Sequence, residues 1–409
     1  MSSATILELM GELGSPAGQA DPYPVYERLR AMGDVVSGPD DALLVTGHRQ
    51  CAALLRDNRL RKSPGRLLVA AGFPDWIERP ALRMMFTSLL MINPPEHTRL
   101  RALVSREFTA RRVSALRRPI TAIAEELLAP LTGEVDFIDT IAFPFPVTVI
   151  GELLGIPAAD RPMFQGLVHD WSSVLEILNP PAVEGADAAA TRIRAYLSEL
   201  AAERRAAPRD DLISALAAVS TETADADADG DGALSDDELV TTAALILAAG
   251  FETTTGLLAN GLLALLAHPA EADRLRHHPE LAQSGVEELL RYDSPVQMIY
   301  GRSAVEEMTV GDLELHAGQR VITILGAGNR DPNVFEQPAE LRLDRDEGGV
   351  LSFGAGIHHC LGAALARLEG QVMFPLLLER FPQLRLAGEP VHRPGIAIHS
   401  YMAMPVALA

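Results

Sequence analysis

The sequence predicts a mainly α-helical protein with small β-sheets, an α+β fold in a single large domain. Three observations predict it. Apolar residues recur at helical spacing from about residue 95 to residue 291. Short strand-like runs broken by glycine follow from residue 298. The 409 residues show neither an internal repeat nor a clear linker, so one domain is expected over 1–409.

The elements are expected in a definite order along the chain. A short helical pattern spans Pro24 to Met32, and residues 62–90 have poor periodicity with several Gly and Pro residues, which is typical of a long functional loop. The other expected parts are a β-rich part over about 33–47, a helical core over about 95–291 and 360–380, and β-rich parts over about 298–326 and 384–409.

Composition excludes several classes of protein. A net charge of -20 disfavours binding to the nucleic acid backbone. With two cysteines, a disulfide framework is excluded and a reducing compartment is favoured. The most apolar stretch, Ala243 to Phe251, is too short to span a bilayer, which takes roughly 20 apolar residues. We therefore expect a soluble, cytoplasmic, monomeric protein without nucleic acid or membrane partners.

The segment around Cys360 is the most informative part of the sequence. It reads Phe353-Gly354-Ala355-Gly356-Ile357-His358-His359-Cys360-Leu361-Gly362. Two glycines permit unusual backbone torsions and the close approach of a flat ligand. A helical run is expected from Leu361, and a helix N-terminus stabilises negative charge and lowers the pKa of a thiol. Cys360 is therefore a suitable anionic metal ligand, and Gly362 would leave room beneath a bound ring.

Two alternatives for Cys360 follow from the residues alone. A small buried cysteine that caps a helix is the ordinary role of such a residue. A zinc site formed by His358, His359 and Cys360 is disfavoured, because adjacent residues in an extended turn point apart and no Cys-x-x-Cys partner exists.

A second unusual segment lies in a long helix expected from Glu238 to Leu266. It reads Ala249-Gly250-Phe251-Glu252-Thr253-Thr254-Thr255. Glycine and threonine are poor choices for a helix interior, and threonine hydroxyls compete for the carbonyl four residues back. A charged Glu252 in an apolar stretch needs a reason. A buried helix with a solvent-facing polar side is the plain alternative.

Together these segments resemble the cytochrome P450 family. The cysteine segment is similar to the haem-ligand signature F-G-x-G-x-H-x-C-x-G at every fixed position, and the helix segment is similar to A-G-x-[E/D]-T. The resemblance implies a P450-type domain with a long central helix over haem (heme b, iron protoporphyrin IX). Cys360 would be the thiolate ligand of the iron. Glu252 and Thr253 would deliver protons to bound dioxygen.

The resemblance also assigns residues around the cofactor. Those implied to contact it are His97, Arg101, Ala249, Gly250, Arg302, Phe353, Gly354, His358, Cys360 and Gly362. Among them, His97, Arg101, Arg302 and His358 would bind the haem propionates. Solvated surface side chains are the plain alternative for His97 and Arg101.

Glu288 and Arg291 share a helix face and match the family's E-x-x-R, a structural pair that a second arginine should complete. Here the sequence departs from the family pattern. Glu340 stands at the usual place of that second arginine. Arg342 and Arg345 are both candidates, and the sequence assigns neither.

A basic stretch interrupts this acidic chain. From Arg99 to Arg118 there are seven arginines and one acid, Glu107. A solvated helix face is one interpretation. The other is a docking surface for an acidic ferredoxin, guided by complementary charge and including Arg111 and Arg112.

Residues 227–238 match the EF-hand loop pattern, with glycine at the sixth place and glutamate at the twelfth. No second copy exists, and a compositional bias in Ala, Asp and Gly makes chance agreement easy. A capping box between Ser235 and Glu238 explains the end of the segment, so calcium binding is not expected.

The resemblance implies a monooxygenase that inserts one oxygen atom from dioxygen into a hydrophobic substrate. Electrons would come from NAD(P)H through a ferredoxin reductase and a ferredoxin. Hydroxylation or epoxidation in secondary-metabolite, polyketide-like biosynthesis is the leading expectation. The alternatives are a substrate tethered to a carrier protein and a non-catalytic haem sensor.

Overall fold

The structure is a computed structural model that describes residues 3–175, 181–222 and 234–408. Helices dominate these residues. They are α1 (Ser3–Leu13), α2 (Pro16–Ala20), α3 (Tyr23–Met32), α4 (His48–Arg56), α5 (Pro64–Ala70), α6 (Pro80–Phe86), α7 (Glu96–Ser105), α8 (Ala110–Ala115), α9 (Arg117–Leu128), α10 (Pro144–Leu154), α11 (Phe164–Ser172), α12 (Pro181–Ala206), α13 (Leu212–Glu222), α14 (Asp236–Ala267), α15 (Pro269–His277), α16 (Ala282–Tyr292), α17 (Leu325–Gly328) and α18 (Ala363–Arg380).

The strands are short and form small sheets. They are β1 (Val35–Ser37), β2 (Leu43–Val45), β3 (Leu60–Lys62), β4 (Glu134–Asp136), β5 (Met298–Ala304), β6 (Met308–Val310), β7 (Leu313–Leu315), β8 (Arg320–Ile324), β9 (Arg385–Leu386), β10 (Val391–His392), β11 (Tyr401–Ala403) and β12 (Pro405–Ala407). The largest sheet has the order β1-β2-β8-β5-β3, with β2 and β8 parallel and the β1–β2 and β8–β5 pairs antiparallel. The others are β4-β12-β9, β6-β7 and β10-β11.

The mainly helical fold class is confirmed, and most predicted elements lie where the sequence places them. The long helix runs from Asp236 to Ala267 and contains the predicted segment. Two predictions were wrong in detail. Residues 62–90 are not a plain loop, because α5 and α6 form there. Each of these helices begins with a proline, a residue that is favoured in the first helical turn. The helix after Cys360 begins at Ala363 rather than Leu361, so two further residues precede it.

By its internal contacts the chain divides into two compact units. Unit 1 contains residues 1–61, 117–142 and 253–409, and unit 2 contains residues 62–116 and 143–252. The boundary passes through α14 between Glu252 and Thr253. One domain over 1–409 stays a prediction.

Unit 1 holds the strands and the cysteine segment. Its helical part centres on α18, which packs against α9, α15 and α16. Phe374 and Leu377 of α18 are fully buried there. The five-stranded sheet carries apolar clusters that include Leu44 and Val45 of β2.

Unit 2 is built on α12, which packs along α6, α11 and α13. Trp171 of α11 is fully buried and donates its indole N–H to the carbonyl oxygen of Ala81 at 3.1 Å. Near the end of α12, the buried Arg204 guanidinium donates to the Asp211 carboxylate at 2.5 Å. A buried charge is stable only when it is paired in this way.

Helix α14 is long and apolar enough to cross a bilayer by length and composition alone. However, 78% of its most apolar window is buried inside the protein. A helix that is apolar on all sides belongs either to a membrane or to the core of a large protein, and this burial fits the second case.

Candidate functional site

The backbone of the cysteine loop, which we define as residues 353–362, is folded back on itself. The Cys360 N–H donates to the Phe353 carbonyl oxygen at 2.9 Å and closes the loop. Gly354 and Gly356 have φ values of +66° and +71°, a region that side chains strongly disfavour. A Cβ atom on Gly356 would also lie 2.6 Å from the carbonyl oxygen of Leu55. The glycines are therefore required by torsion and by close approach to the end of α4.

The two cysteines of the chain have opposite surroundings. Cys360 is exposed and lies just before α18, whereas Cys51 is buried in α4. The Cys51 thiol donates to the Val45 carbonyl oxygen at 3.3 Å, and burial raises its pKa far above the ordinary value. Cys51 thus stays protonated and inert. Cys360 has the accessibility that a metal ligand needs, beside a helix N-terminus that favours a thiolate.

An aromatic ring and an ion pair support the start of the cysteine loop. The guanidinium of Arg367 lies 4.3 Å from the centre of the Phe353 ring. Arg367 in turn donates to the Glu287 carboxylate of α16, with one contact at 3.2 Å. This cation–π contact fixes the ring that begins the signature segment.

The predicted propionate residues fall in both units. In unit 2, α7 carries His97, which is 1% exposed, and Arg101, which is half-buried. Burial and then the charge of Arg101 lower the pKa of His97, so its imidazole is neutral near pH 7. A neutral imidazole still donates one hydrogen bond to a carboxylate, and Arg101 supplies the charge.

In unit 1, Arg302 of β5 is buried and already heavily bonded. Its guanidinium donates to the carbonyl oxygens of Leu54, Asp57 and Leu60 at 2.8 to 3.2 Å. Burial lowers its pKa to about 10, so it remains charged at pH 7. Arg302 therefore closes the end of α4, which leaves less donor capacity for a propionate than the sequence suggests. His358 is half-buried in the cysteine loop.

The middle of α14 changes its exposure from residue to residue. Ala249 is exposed and Gly250 is half-buried, while Glu252 is buried. A Cβ atom on Gly250 would lie 2.6 Å from the Ile150 side chain, so this glycine lets α14 approach α10. Thr253, half-buried, follows Glu252 on the same helix.

Glu252 is buried against α11. The Ser172 hydroxyl donates to Glu252 Oε1 at 3.1 Å, and His169 Nδ1 lies 3.8 Å from the same oxygen. Sequence reasoning found Glu252 but missed both partners. Nothing in the local pattern of α11 marks them, because only the packing of α11 on α14 brings them to the carboxylate.

A second buried acid was also missed. Glu369 of α18 is 1% exposed and accepts a hydrogen bond from Thr254 Oγ1 at 3.4 Å. Burial raises the pKa of this carboxyl group well above its ordinary value. The signal was present in the sequence, since position 369 falls on the apolar face that Leu365 and Val372 define.

The structure decides which arginine completes the Glu288 network, defined as Glu288, Arg291 and Arg345. Arg291 Nε donates to Glu288 Oε2 at 2.6 Å, and Arg345 Nε lies 3.1 Å from both carboxylate oxygens. The three side chains are 1 to 2% exposed. Arg342, which is 32% exposed, reaches Glu288 only through its backbone N–H.

The sequence matches the family model described as Cytochrome P450 over residues 159–393. The chain belongs to the cytochrome P450 family. It is 41% identical to Vitamin D(3) 25-hydroxylase of Pseudonocardia autotrophica, covering 95% of this chain and 94% of that protein. It is 37% identical to the polyketide biosynthesis cytochrome P450 PksS of Bacillus subtilis, covering 90% and 89%. The structure of P450BioI in complex with an acyl carrier protein carrying hexadec-9Z-enoic acid superposes with a TM-score of 0.86 at 31% identity, covering 96% and 100%.

Membership of the family makes this protein a haem-dependent monooxygenase that receives electrons from redox partners. The residues present fit a haem. An exposed thiol precedes a helix in a loop held by two glycines. A Cβ atom on Gly362 would contact nothing within 4 Å, so this part of the cysteine loop is open.

Two surface features of the P450 were also predicted. Arg111 and Arg112 of α8 are exposed, and Arg112 pairs with Glu107. Most of the EF-hand-like segment, residues 227–233, lies outside the described residues. Its last residue, Glu238, accepts from the Ser235 backbone N–H at 2.8 Å in the expected capping box and pairs with Arg99.

Proposed function

We propose that this P450 oxidises a hydrophobic, polyketide-like substrate in secondary-metabolite biosynthesis, with electrons supplied by a ferredoxin and its NAD(P)H-dependent reductase. The cysteine loop carries the proposal, since its exposed thiol, positive-φ glycines and closing hydrogen bond make a site for a flat macrocycle. The protein would work in the cytoplasm as a monomer.

In this proposal Cys360 Sγ holds the haem iron. Phe353, Gly354, Gly362, Ala249 and Gly250 would line the macrocycle, and the residues that would bind its propionates are His97, Arg101, Arg302 and His358. The haem, when bound through a thiolate, supplies the activation of dioxygen.

Glu252 and Thr253 would handle the protons of the reaction. Reduction of one oxygen atom of dioxygen to water consumes two protons and two electrons. A buried carboxyl group beside an alcohol can pass protons while bulk water stays out. Glu252 is buried and accepts a hydrogen bond from the Ser172 hydroxyl group of α11.

The ferredoxin proposal rests on the exposed arginines of α8. A double substitution of Arg111 and Arg112 by Glu should slow the first reduction step and weaken its dependence on salt, because complementary charge accelerates encounter. Stopped-flow reduction at several ionic strengths measures this. Unchanged kinetics would remove the docking role.

The relatives support the substrate class. A vitamin D(3) hydroxylase and a polyketide biosynthesis P450 are among proteins at 37 to 41% identity, and both names point to large apolar substrates. The likeness to P450BioI, solved with an acyl carrier protein, favours a second candidate in which the substrate is tethered to a carrier.

The test is a spectral titration of the haem-loaded enzyme followed by turnover. Vitamin D3, a macrolactone and a fatty acyl carrier protein are the probes. A shift of the Soret band with the macrolactone and NADPH-coupled oxidation of it would support the proposal. Binding of the acyl carrier protein alone would support the second candidate, and binding without turnover would indicate a sensor.

A further inference from the structure

We propose that Thr255 is a positioning residue for the turn of α14 that carries Glu252 and Thr253. Its hydroxyl group donates to the carbonyl oxygen of Ala142 at 3.1 Å, and both residues belong to unit 1. This inference rests on the proposed proton handling by Glu252 and Thr253. The motif that marks those two residues ends at Thr253, so it gives Thr255 no role.

The Ala142 carbonyl group needs a donor from outside its own segment. A short π-helical turn over Ile138–Ala142 precedes α10, which begins at Pro144. In a continuous α-helix this carbonyl group would accept from the N–H group of residue 146, but Pro146 has no N–H group. Ala142 is 0% exposed, so bulk water does not reach it. A buried carbonyl group requires a partner, and the Thr255 hydroxyl group is one.

This bond differs from the one that threonine commonly makes in a helix. A threonine hydroxyl group often bonds to the carbonyl oxygen four residues back, which bends the helix. For Thr255 that oxygen belongs to Phe251, whereas the hydroxyl group donates to Ala142. Thr255 is 6% exposed, so the bond is shielded from water. The contact therefore fastens α14 to the segment that precedes α10.

A ring contact lies one helical turn earlier on the same face of α14. Residues 251 and 255 are four apart, so their side chains are neighbours on the helix surface. Within unit 2, the Phe251 ring packs edge-on against the Phe143 ring, with ring centres 5.1 Å apart. Phe143 directly follows Ala142 in the chain. The two contacts, each within its own unit, thus bracket residues 252 and 253.

The position of this turn matters because it carries the two residues proposed to handle protons. Local propensity holds the turn weakly, since Gly250 and the three threonines are poor helix formers. Contacts from outside the helix therefore decide where Glu252 and Thr253 lie. Misplacement of a reacting group by about 1 Å can slow a reaction about 10²-fold, so a small shift of the turn should be measurable in turnover.

A purely structural role of the Thr255 hydroxyl group is the alternative, and Thr46 provides the matched control. Thr46 is 0% exposed, lies in unit 1 and donates its hydroxyl group to the Gly33 carbonyl oxygen at 3.2 Å. Thr46→Val and Thr255→Val each remove one buried hydroxyl group from a backbone carbonyl group. Both should lower the urea midpoint of unfolding. We expect only Thr255→Val to change the properties of α14.

The first experiment is hydrogen–deuterium exchange of the haem-loaded enzyme, measured by mass spectrometry. Peptides that cover residues 248–258 should exchange about fivefold faster in Thr255→Val, as expected from the loss of one ordinary hydrogen bond. Thr255→Ser keeps the hydroxyl group and should exchange at the wild-type rate in these peptides, and so should Thr46→Val. Wild-type exchange of these peptides in Thr255→Val overturns the proposal.

The second experiment measures NADPH consumption and hydrogen peroxide release with a surrogate ferredoxin and reductase, and with vitamin D3 as the probe. Unproductive turnover passes the two electrons of NADPH to dioxygen and releases peroxide. In Thr255→Val the NADPH flux that does not end as peroxide should fall about fivefold, while the spectral Kd of vitamin D3 stays within about twofold of the wild-type value. Thr255→Ser should recover that flux.

The outcomes separate positioning from stability and from the proposed function. An equal loss of flux in Thr46→Val would show an effect of stability alone and overturns the proposal, as does a failure of Thr255→Ser to recover the flux. A wild-type flux in Glu252→Gln overturns the proposed role of Glu252. In that case the exchange of residues 248–258 still decides whether Thr255 holds the turn.

Discussion

The cysteine loop and the Glu288 network lie in the same unit and are built in opposite ways. In the loop, the reactive thiol is exposed and the backbone sets the conformation through Gly354, Gly356 and one closing hydrogen bond. In the network, charged side chains are buried and fix one another. Substitutions in the loop should therefore remove chemistry and spare the fold, whereas substitutions in the network should do the reverse.

The largest effect is expected for Cys360→Ala. Loss of the thiolate should abolish the red-shifted Soret band of the reduced carbon monoxide complex and all coupled turnover, while circular dichroism shows unchanged helix content. Cys51→Ala is the matched control. It should keep the spectrum and lower stability by about 1 kcal/mol, because the residue is buried. A native spectrum in Cys360→Ala would contradict the assignment of the iron ligand.

Glu288→Gln should show the opposite behaviour. Two buried guanidinium groups lose their counter-charge, which costs about 3–5 kcal/mol in the free energy of unfolding. Urea unfolding measures it. The neighbouring Glu287→Gln is the control, since that side chain is 35% exposed and its pair with Arg367 is worth about 0.2–1 kcal/mol. Equal losses in the two variants would refute the distinction.

A smaller effect separates the two candidate arginines. Arg345→Met should lower the free energy of unfolding by about 1.5–3 kcal/mol, because a buried charged hydrogen bond to Glu288 is lost while Arg291 still pairs with the acid. Arg342→Met should change it by less than about 0.5 kcal/mol, as for other surface substitutions. Denaturant unfolding measures both values. A larger loss of stability in Arg342→Met than in Arg345→Met would show that Arg342 is the second arginine of the Glu288 network.

A further effect concerns pH and lies in another cluster of unit 1. Burial and then the charge of His399 lower the pKa of His392 to about 4. Between pH 6.5 and 4, His392 is therefore protonated in the unfolded chain and neutral in the folded protein. As the pH is lowered through that range, the free energy of unfolding should fall, with at most about 1.4 kcal/mol per pH unit from this group.

His392→Asn should flatten that pH dependence, and His278→Asn on an exposed site should not. The partner His399 acts in the other direction. Burial would lower its pKa, but the charge and hydrogen bond of Asp293 raise it, so its contribution is complete at low pH and is lost only as pH rises. Parallel pH profiles for His392→Asn and the wild type would contradict the role of His392.

The comparison also shows which parts of the site could be predicted. Cys360, Glu252 and Thr253 lie in continuous segments whose residue types are unusual for their local structure, so they can be identified from the sequence. Arg345 could not be chosen over Arg342 from the sequence, because both precede the cysteine loop at compatible spacing and only burial separates them. Glu369 is detectable from helical periodicity, because it is a charged residue on an apolar helix face.

Ser172 and His169 mark the limit of that reasoning. They are ordinary residues on an amphipathic helix, and they matter only because α11 lies against the middle of α14. Arg302 shows the same limit in another form. The family resemblance implies that it binds a propionate, which stays a prediction, and only the structure shows its donations to three backbone carbonyl groups near the end of α4.

By itself the sequence determined the mainly helical fold class, the long helix around Glu252 and the cysteine segment, because local periodicity and contiguous motifs record those features. The tertiary structure alone decided which arginine holds Glu288, how Arg302 is bonded and which side chains reach Glu252. Those outcomes depend on contacts between residues far apart in the chain, where burial makes each unpaired polar group costly and so selects one partner among several that the sequence permits.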